Sequence, residues 1–344
     1  FFKSLPNLKK SKMIVYGANH HHLFHAYCSL TWNKSFSNIF VADGTGKEYK
    51  NDFERESLYN FNKEKLIHIN TFNKDDAPTI GLKYELFSEK HFGRIDCCGK
   101  TMAWSLFDKK PALIQKNFET EMLDVLNKLK VKENILFTGG CAQNILFNSI
   151  LLKKFKKVFC DPFNGDFGIS LGAINYYLNN KIKNDSIYLG IPQDINSDIF
   201  YEHKINKCTP DEVCKILINE PVAIFQSRSE QGQRGLGNRS LLMNPLHKNA
   251  HEMLNRIKKR EWFRPFACSI IKEKSKDWFE MDTEESPFMM YVFKLKKIGL
   301  LKTGVSKDLT CRIQTVKKTD NENYYNLLLS FEKLTGVPIL ANTS

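Results

Sequence analysis

Long hydrophobic runs are missing from this 344-residue chain, and so is any cysteine pattern typical of a zinc ribbon or a disulfide framework. No stretch approaches the roughly 18 apolar residues that a transmembrane helix needs. The nine cysteines are scattered, and the adjacent pair Cys97-Cys98 lacks the spacing of a CxxC site. The first residues also lack the apolar core and cleavage site of a signal peptide. We therefore expect a cytoplasmic protein without a membrane partner.

Acidic residues are outnumbered, because 38 aspartates and glutamates face 51 lysines and arginines, which gives a net charge of +13. A basic surplus suits nucleic acids or small anionic substrates. The basic residues are spread along the chain rather than gathered in a block, so we do not expect a nucleic-acid partner. No Ser-His-Asp or Cys-His relay is evident either, which argues against a covalent acyl intermediate on the protein.

Two globular halves are predicted from the order of the hydrophobic patterns. Residues 1–183 alternate strand-like and helical segments, which is typical of an α/β domain. Residues 184–205 are polar and turn-rich, as a linker would be, and residues 206–344 form the second half. Predicted strands cover 13–18, 38–46, 134–140, 157–163 and 221–225, and predicted helices cover 20–32 and 110–130. Thr209 and Glu212 mark a further helix start.

A glycine- and arginine-rich segment, QGQRGLGNRS at 231–240, follows the predicted buried strand at 221–225. A second basic segment, KKREWFRPF, covers 258–266. Glycines let the backbone approach a ligand closely, and guanidinium groups match phosphate oxygens two bonds at a time. The two segments therefore predict a site for a phosphorylated, planar ligand. The alternative is an ordinary solvated basic surface.

Two histidines and two aspartates form a candidate metal site. His21 and His25 lie four residues apart on a predicted helix, so both rings can face one ion. Asp43 follows a predicted strand, and Asp166 lies in a later loop; both are close to glycines. Two imidazoles with two carboxylates suit a divalent transition metal. From spacing alone, a solvated histidine tract is the alternative.

Three glycine loops, FVADGTG, FTGGCAQN and FNGDFGISLGA, each follow a predicted strand. Backbone N–H groups at such positions, together with a helix N-terminus, can hold phosphate or nucleotide. A single loop of this kind is as easily an ordinary turn. Three in this order resemble the phosphate and adenosine loops of the actin-like ATPase fold.

Several of these segments together resemble the O-carbamoyltransferases of the NodU/CmcH/TobZ type. QGQRGLGNRS resembles that family's E-x-G-P-R-A-L-G-N-R-S, IKKREWFRPFA resembles I-K-x-R-E-x-F-R-P-F-A, and HHLFHA resembles H-H-L-A-H-A. TGGCAQN and TGVPILANTS also have counterparts there. The chain departs from the family pattern at three places: Gln233 replaces a proline, and Ser306 replaces a histidine. In the segment GKTMAW at 99–104, Ala103-Trp104 replaces a Gly-Leu pair, which puts the role of Lys100 in doubt. The resemblance implies an actin-like (ASKHA, TsaD-like) domain followed by a YrdC-like α/β domain.

The resemblance also implies a two-step reaction. ATP, with magnesium, and carbamoyl phosphate would give carbamoyl adenylate in the second half, and the first half would transfer the carbamoyl group to a hydroxyl of a small-molecule or glycan acceptor. The implied metal ligands are His21, His25, Asp43 and Asp166, with iron the first expectation. The implied catalytic residues are Arg234, Lys258, Arg260 and His22. The implied substrate- and nucleotide-binding residues are Arg228, Glu230, Asn238, Arg239, Ser240, Arg264, Arg312, Asn342, Ser344, Gly139, Gly140 and Asn144.

Two other functions stay open from the sequence. A tRNA threonylcarbamoyl-type modification enzyme would share both folds, but would use bicarbonate and threonine. An inactive nucleotide-binding remnant is the other alternative, since the resemblance implies truncation at both ends. If the two-step reaction holds, we expect TGGCAQN and QGQRGLGNRS to form two walls of one enclosed channel, because water would destroy carbamoyl adenylate.

Overall fold

The computed structural model describes residues 20–44, 46, 48–49, 52–63, 65–72, 80–191 and 207–344. The strand predicted at 13–18 and most of the predicted linker lie outside these residues. Within the described ranges, no helix combines the length and the apolar character needed to cross a bilayer.

The first half contains a mixed five-stranded sheet and a separate pair of short strands. The described strands of this half are β1 (Asn38–Ala42), β2 (Glu48–Tyr49), β3 (Asp52–Phe53), β4 (Glu56–Asn62), β5 (Lys65–Phe72), β6 (Asn134–Thr138) and β7 (Lys157–Cys160). The sheet order is β5-β4-β1-β6-β7, and β2 pairs only with β3. β1, β6 and β7 run parallel, whereas β4 and β5 join antiparallel. The carboxyl ends of the three parallel strands therefore meet at one edge, where α/β proteins place their ligands.

Helices cover both faces of this sheet. They are α1 (His21–Leu30), α2 (Ile80–Phe92), α3 (Cys98–Trp104), α4 (Lys109–Lys128), α5 (Ile145–Lys154) and α6 (Ile169–Tyr177). The predicted helices at 20–32 and 110–130 correspond to α1 and α4. Asp108 caps α4 and Asn144 caps α5, each by accepting a hydrogen bond from a backbone N–H of the first turn.

The second half is built on a mixed seven-stranded sheet. Its strands are β8 (Val222–Phe225), β9 (Arg239–Met243), β10 (Ala267–Ile271), β11 (Phe279–Glu280), β12 (Val292–Leu295), β13 (Thr310–Val316) and β14 (Ile339–Thr343). The order is β11-β12-β13-β10-β14-β9-β8, and only β10 and β13 are parallel. Its helices are α7 (Pro210–Leu217), α8 (Ala250–Lys258), α9 (Ser275–Trp278) and α10 (Glu322–Thr335).

Two local predictions for the second half had different outcomes. The helix start at Thr209 is confirmed, because Thr209 and Glu212 form a reciprocal capping box before α7. The prediction of a buried strand at 221–225 is wrong in its burial. β8 is the edge strand of the sheet, and Phe225 is 56% exposed. Its ring is covered instead by the Arg239 guanidinium, 3.8 Å from the ring centroid.

One hydrophobic core continues from the first half into the second. It joins residues around β1 and β6, such as Phe40 and Phe137, to residues of the second sheet such as Tyr291 and Phe293. Hydrogen bonds cross the same boundary, since the Tyr291 hydroxyl accepts from the backbone N–H of Cys160 at 3.0 Å. The α/β class predicted from the sequence is confirmed, while the actin-like and YrdC-like assignments stay predictions.

Gly172 of α6 allows this helix to lie against α1. A Cβ atom at Gly172 would stand 1.9 Å from the carbonyl oxygen of Phe24, so α6 would have to move. We expect Gly172→Ala to lower the free energy of unfolding by about 1–3 kcal/mol. Gly99→Ala is the matched control within a helix, because a Cβ there meets nothing within 4 Å. Its stability should stay equal or rise by up to about 1 kcal/mol. Chemical denaturation showing equal stability for the two variants would contradict the expected crowding.

Candidate functional site

The four side chains of the predicted metal site lie together at the carboxyl end of the first sheet. His21 and His25 project from the first turns of α1, Asp43 directly follows β1, and Asp166 lies in the loop before α6. One ligand atom from each lies within 4.8 Å of all the others. Nε2 of His25 is 3.0 Å from Oδ2 of Asp43 and 3.7 Å from Oδ1 of Asp166.

These separations fit a single ion. Ligands around a tetrahedral metal with bonds of about 2.1 Å stand roughly 3.4 Å apart. Nε2 of His25 is buried and forms no aligned hydrogen bond, although Asp43 is adjacent. Its lone pair and the carboxylate oxygens can therefore point to a common centre rather than to each other. The side chain of Asp166 is 76% exposed, so the cluster is open on that side.

Electrostatics couple the cluster to protons. Burial lowers the pKa of His25, but the carboxylates of Asp166 and Asp43 outweigh burial and raise the pKa to about 9. Burial raises the pKa of Asp43, but its contacts with the imidazoles of His21 and His25 outweigh burial and hold this pKa well below its usual range. Without an ion, a proton on His25 neutralises part of the negative charge. A divalent cation would take its place.

Two glycines and a buried aspartate support the cluster. Gly139 has φ of +88°, and a Cβ there would stand 2.3 Å from the carbonyl oxygen of Ala42. A Cβ at Gly140 would stand 2.7 Å from Oδ1 of Asp43. Asp161 accepts hydrogen bonds from the Thr138 hydroxyl and from the backbone N–H of Phe163, at 2.9 and 2.8 Å. Asp161 thus ties the start of the loop that carries Asp166 to the end of β6.

His22 points away from the four-residue cluster, into the sheet. It is fully buried, and its Nδ1 lies 2.8 Å from Oγ of Ser57 on β4. The Ser57 hydroxyl in turn lies 2.9 Å from that of Thr71 on β5. This contact holds the His22 ring against β4, and the catalytic role of His22 stays a prediction.

A cavity of about 890 Å³ lies between the two halves. None of the four residues of the candidate metal cluster lines it, but Gly44 and Gly140, both next to Asp43, do. From the first half it is lined by residues that include Gly44, Tyr84, Glu85, Cys98, Gly140 and Asn144. From the second half it is lined by residues that include Arg234, Lys258, Arg260, Arg264, Arg312 and Ser344. The segments TGGCAQN and QGQRGLGNRS therefore both contribute walls to one cavity, through Gly140–Asn144 and Gln233–Gly235.

Four guanidinium groups crowd the second-half wall. Burial, together with the charges of Arg260 and Arg264, lowers the pKa of Arg234 to about 10. Arg260 behaves alike, and burial followed by repulsion from Arg234 lowers the pKa of Arg312 well below its usual value. Nε of Arg260 and Nε of Arg312 are buried without a hydrogen-bond partner among the described residues. Such a wall is preorganised for an anion with several charges.

Five of the predicted binding residues lie in or next to the glycine loop and form hydrogen bonds there. Oε1 of Glu230 accepts hydrogen bonds from the backbone N–H groups of Leu236 and Asn238, at 2.6 and 2.8 Å. Arg239 donates to the carbonyl oxygens of Gln226 and Ser227. The residues of this group, none of which lines the cavity, are Arg228, Glu230, Asn238, Arg239 and Ser240. They hold the loop that presents Arg234.

Other predicted binding residues line the cavity. Arg264, Arg312, Asn342 and Ser344 line the cavity, and Oδ1 of Asn342 is buried without a hydrogen-bond partner among the described residues. Asn144 lines it as well, while its side chain also caps α5.

Glu85 is a site residue that sequence patterns did not single out. It projects from α2 into the cavity, and a Cβ placed on Gly44 would stand 3.0 Å from its Oε2. Burial raises its pKa, and the charges of Asp43 and Asp166 raise it further. A lone glutamate on an amphipathic helix gives no motif, so only the three-dimensional contact with Gly44 identifies it.

Two family models match this chain. The model described as the carbamoyltransferase N-terminus matches residues 108–174, and the model described as the carbamoyltransferase C-terminus matches residues 214–344. Together the matched segments span more than half of the chain.

Relatives with similar sequences include proteins of archaea and bacteria. An uncharacterised protein, MJ1051, from Methanocaldococcus jannaschii is 32% identical over 251 residues, which are 67% of this chain and 48% of the relative. Nodulation protein NolNO from Sinorhizobium fredii is 34% identical over 239 residues, 62% of this chain and 35% of the relative. Nodulation protein U from Azorhizobium caulinodans is 31% identical over 230 residues, 62% of this chain and 40% of the relative. The chain thus spans less than half the length of these curated relatives.

We expect one divalent transition-metal ion to bind at the four-residue cluster, with an affinity that rises with pH. Nε2 of His25 must lose its proton to ligate, and its pKa is about 9. Below that pKa, binding releases a proton and weakens by up to about tenfold per pH unit as pH falls. Calorimetric titration with Co²⁺ in two buffers of different ionisation enthalpy measures both effects.

His25→Ala should weaken this binding by at least about 100-fold, because it removes a buried ligand. His91→Ala is the control, since His91 is an exposed residue of α2. Equal Co²⁺ affinity for these two variants would rule out the cluster as the metal site.

Proposed function

Because this chain belongs to the O-carbamoyltransferase family, we propose that it forms carbamoyl adenylate from ATP and carbamoyl phosphate and transfers the carbamoyl group to a hydroxyl acceptor. One observation carries the proposal. A single cavity is lined by the arginine-rich wall of the second half and by Gly44 and Gly140 of the first half, which lie next to Asp43 of the candidate metal cluster. An intermediate made at one end can therefore reach the other end without leaving the protein.

Arg234, Lys258, Arg260 and Arg312 would serve the first step. Hydrolysis of carbamoyl phosphate gives carbamate and phosphate, and a carbamate oxygen then attacks the α-phosphorus of ATP as pyrophosphate leaves. The phosphates bring negative charge to guanidinium groups that repel one another when no anion is bound. Phosphoryl chemistry of this kind depends mainly on positioning and charge stabilisation, which such a wall supplies.

His21, His25, Asp43 and Asp166 would hold a divalent ion next to the acceptor. The donor set of two imidazoles and two carboxylates fits iron or another divalent transition metal. When bound, such an ion can polarise a carbonyl oxygen and orient a hydroxyl group. Asp166, the most exposed of the four, lies on the side from which small ligands can approach.

Glu85 is the described side chain best placed to take the acceptor's proton. The acceptor oxygen forms a bond to the carbamoyl carbon, its proton passes to the Glu85 carboxylate, and the bond to the adenylate oxygen breaks so that AMP leaves. Burial and neighbouring carboxylates raise the pKa of Glu85, which makes it a stronger base than an exposed glutamate. Its place between the metal cluster and the arginine wall suits this role.

Arg234→Ala should weaken binding of inorganic pyrophosphate and slow carbamoyl-phosphate-dependent pyrophosphate release. Losing one charge-assisted contact costs about 1.5–3 kcal/mol, which is roughly a ten- to hundredfold effect. Arg256→Ala is the matched control, because Arg256 lies exposed on α8. Thermal-shift titration measures pyrophosphate binding, and a coupled assay measures its release.

The same assay separates the proposal from its nearest alternative. Pyrophosphate release that depends on bicarbonate and threonine rather than on carbamoyl phosphate would indicate a threonylcarbamoyl-type enzyme. Wild-type pyrophosphate affinity in Arg234→Ala would remove the arginine wall from the first step.

Glu85→Gln should leave carbamoyl-phosphate-dependent pyrophosphate release intact while carbamoyl transfer falls by about 100-fold, within the range for loss of a general base. The wild-type transfer rate should decline as pH falls through the raised pKa of Glu85, and the variant should lose this decline. Glu89→Gln, an exposed change one turn along α2, is the control. A transfer rate in Glu85→Gln that matches the control would exclude Glu85 as the base.

A further inference from the structure

One edge of the cavity is bridged by an ion pair between the two halves. Lys100 on α3 lies 2.5 Å from Oε1 of Glu261, which belongs to the loop after α8. Both side chains are partly exposed, 26% and 34%. Burial raises the pKa of Glu261, but the hydrogen bond from Lys100 outweighs burial and lowers the pKa. Neither residue belongs to the metal cluster or to the arginine wall.

Aromatic rings surround this ion pair and also connect the two halves. Phe107 meets Trp262 edge-on with ring centroids 5.0 Å apart, and Trp104 stacks with Phe263 at 6.3 Å. Nζ of Lys100 lies 5.5 Å from the centroid of the Phe92 ring. Trp262 is 69% exposed, so the cluster stands at the protein surface.

The two bridged segments are also cavity walls. Cys98 and Met102 of α3 line the cavity from one side, and Arg260 and Arg264 line it from the other. Away from this edge, the halves are fixed to each other by the continuous core and by buried contacts such as the one between Tyr291 and Cys160. Separation of the bridged edge would therefore open the cavity while the opposite side stays closed.

We propose that Lys100, Glu261 and the surrounding rings form a latch that holds this edge of the cavity closed, and that an anion bound at the arginine wall strengthens it. Glu261 also lies 3.7 Å from Nη1 of Arg264, so Arg264 and Lys100 share one carboxylate. A phosphate group bound by Arg264 frees Glu261 to pair with Lys100 alone. This step rests on the proposed function, which brings phosphates to the arginine wall. Lys100 and Glu261 are positioning residues, because they act on the closure and not on the reacting atoms.

Alkylation of Cys98 tests the latch without requiring turnover. Cys98 is partly exposed and lines the cavity, whereas Cys208 is exposed elsewhere and serves as the internal reference. Iodoacetamide labelling followed by peptide mass spectrometry gives both rates in the whole protein. Lys100→Ala should speed Cys98 labelling about two- to fivefold, the effect of losing a partly exposed ion pair. The exposed control Lys109→Ala should leave it unchanged.

A charge-swapped variant separates the ion pair from a general loosening of α3. Lys100→Glu combined with Glu261→Lys should restore slow labelling, whereas each single change should not. Pyrophosphate should slow Cys98 labelling in the wild type and in the swapped variant, but less in Lys100→Ala. In full turnover, Lys100→Ala should consume more ATP per carbamoyl group transferred, because carbamoyl adenylate escapes to water.

The outcomes distinguish the latch from the function on which it rests. Wild-type labelling of Cys98 in Lys100→Ala, or no recovery in the swapped variant, would overturn the latch. Faster labelling in Lys100→Ala that pyrophosphate slows in none of the proteins would support the ion pair as a closure and overturn phosphate binding at the arginine wall.

Discussion

Mutual repulsion among partly buried guanidinium groups is the constraint around which the second half is organised. Arg234, Arg260, Arg264 and Arg312 share one wall, and Glu261 alone among the described carboxylates forms an ion pair there. Burying like charges costs free energy unless an anion offsets them. The glycine loop that carries Arg234 is fixed by Glu230, whose carboxylate accepts hydrogen bonds from three backbone N–H groups of the loop. The arginine wall is thus kept in place before any ligand arrives.

The candidate metal cluster carries negative charge, in contrast to the arginine wall. Two carboxylates lie beside two imidazoles at the end of a parallel sheet, and a proton on His25 balances them only in part. The cavity therefore has an arginine-rich wall on one side, while its first-half wall, at Gly44 and Gly140, lies next to Asp43 of this cluster. Glu85 lines the cavity near Asp43 and Asp166, whose charges raise its pKa.

The sequence predicted which side chains lie together in the candidate metal cluster better than it predicted which arginines face the cavity. Helix periodicity placed His21 and His25 on one face, and Asp43 was expected at a strand end. The family resemblance was needed to group these three residues with Asp166, which lies in a loop. The sequence did not separate Arg234, which faces the cavity, from Arg239, which holds the loop and covers Phe225. Which way a side chain points out of an irregular loop depends on tertiary contacts. The same limit hid Glu85, and it left β8 assigned as buried when it is the edge strand.

Because one hydrophobic core runs through both halves, a substitution in either half affects the stability of the other. Phe137 and Phe293 belong to one hydrophobic cluster, so we expect the two halves to unfold together. A cavity-forming substitution on either side is therefore expected to lower the stability of both halves together. Neither half can be exchanged or trimmed without rebuilding the contacts around Tyr291.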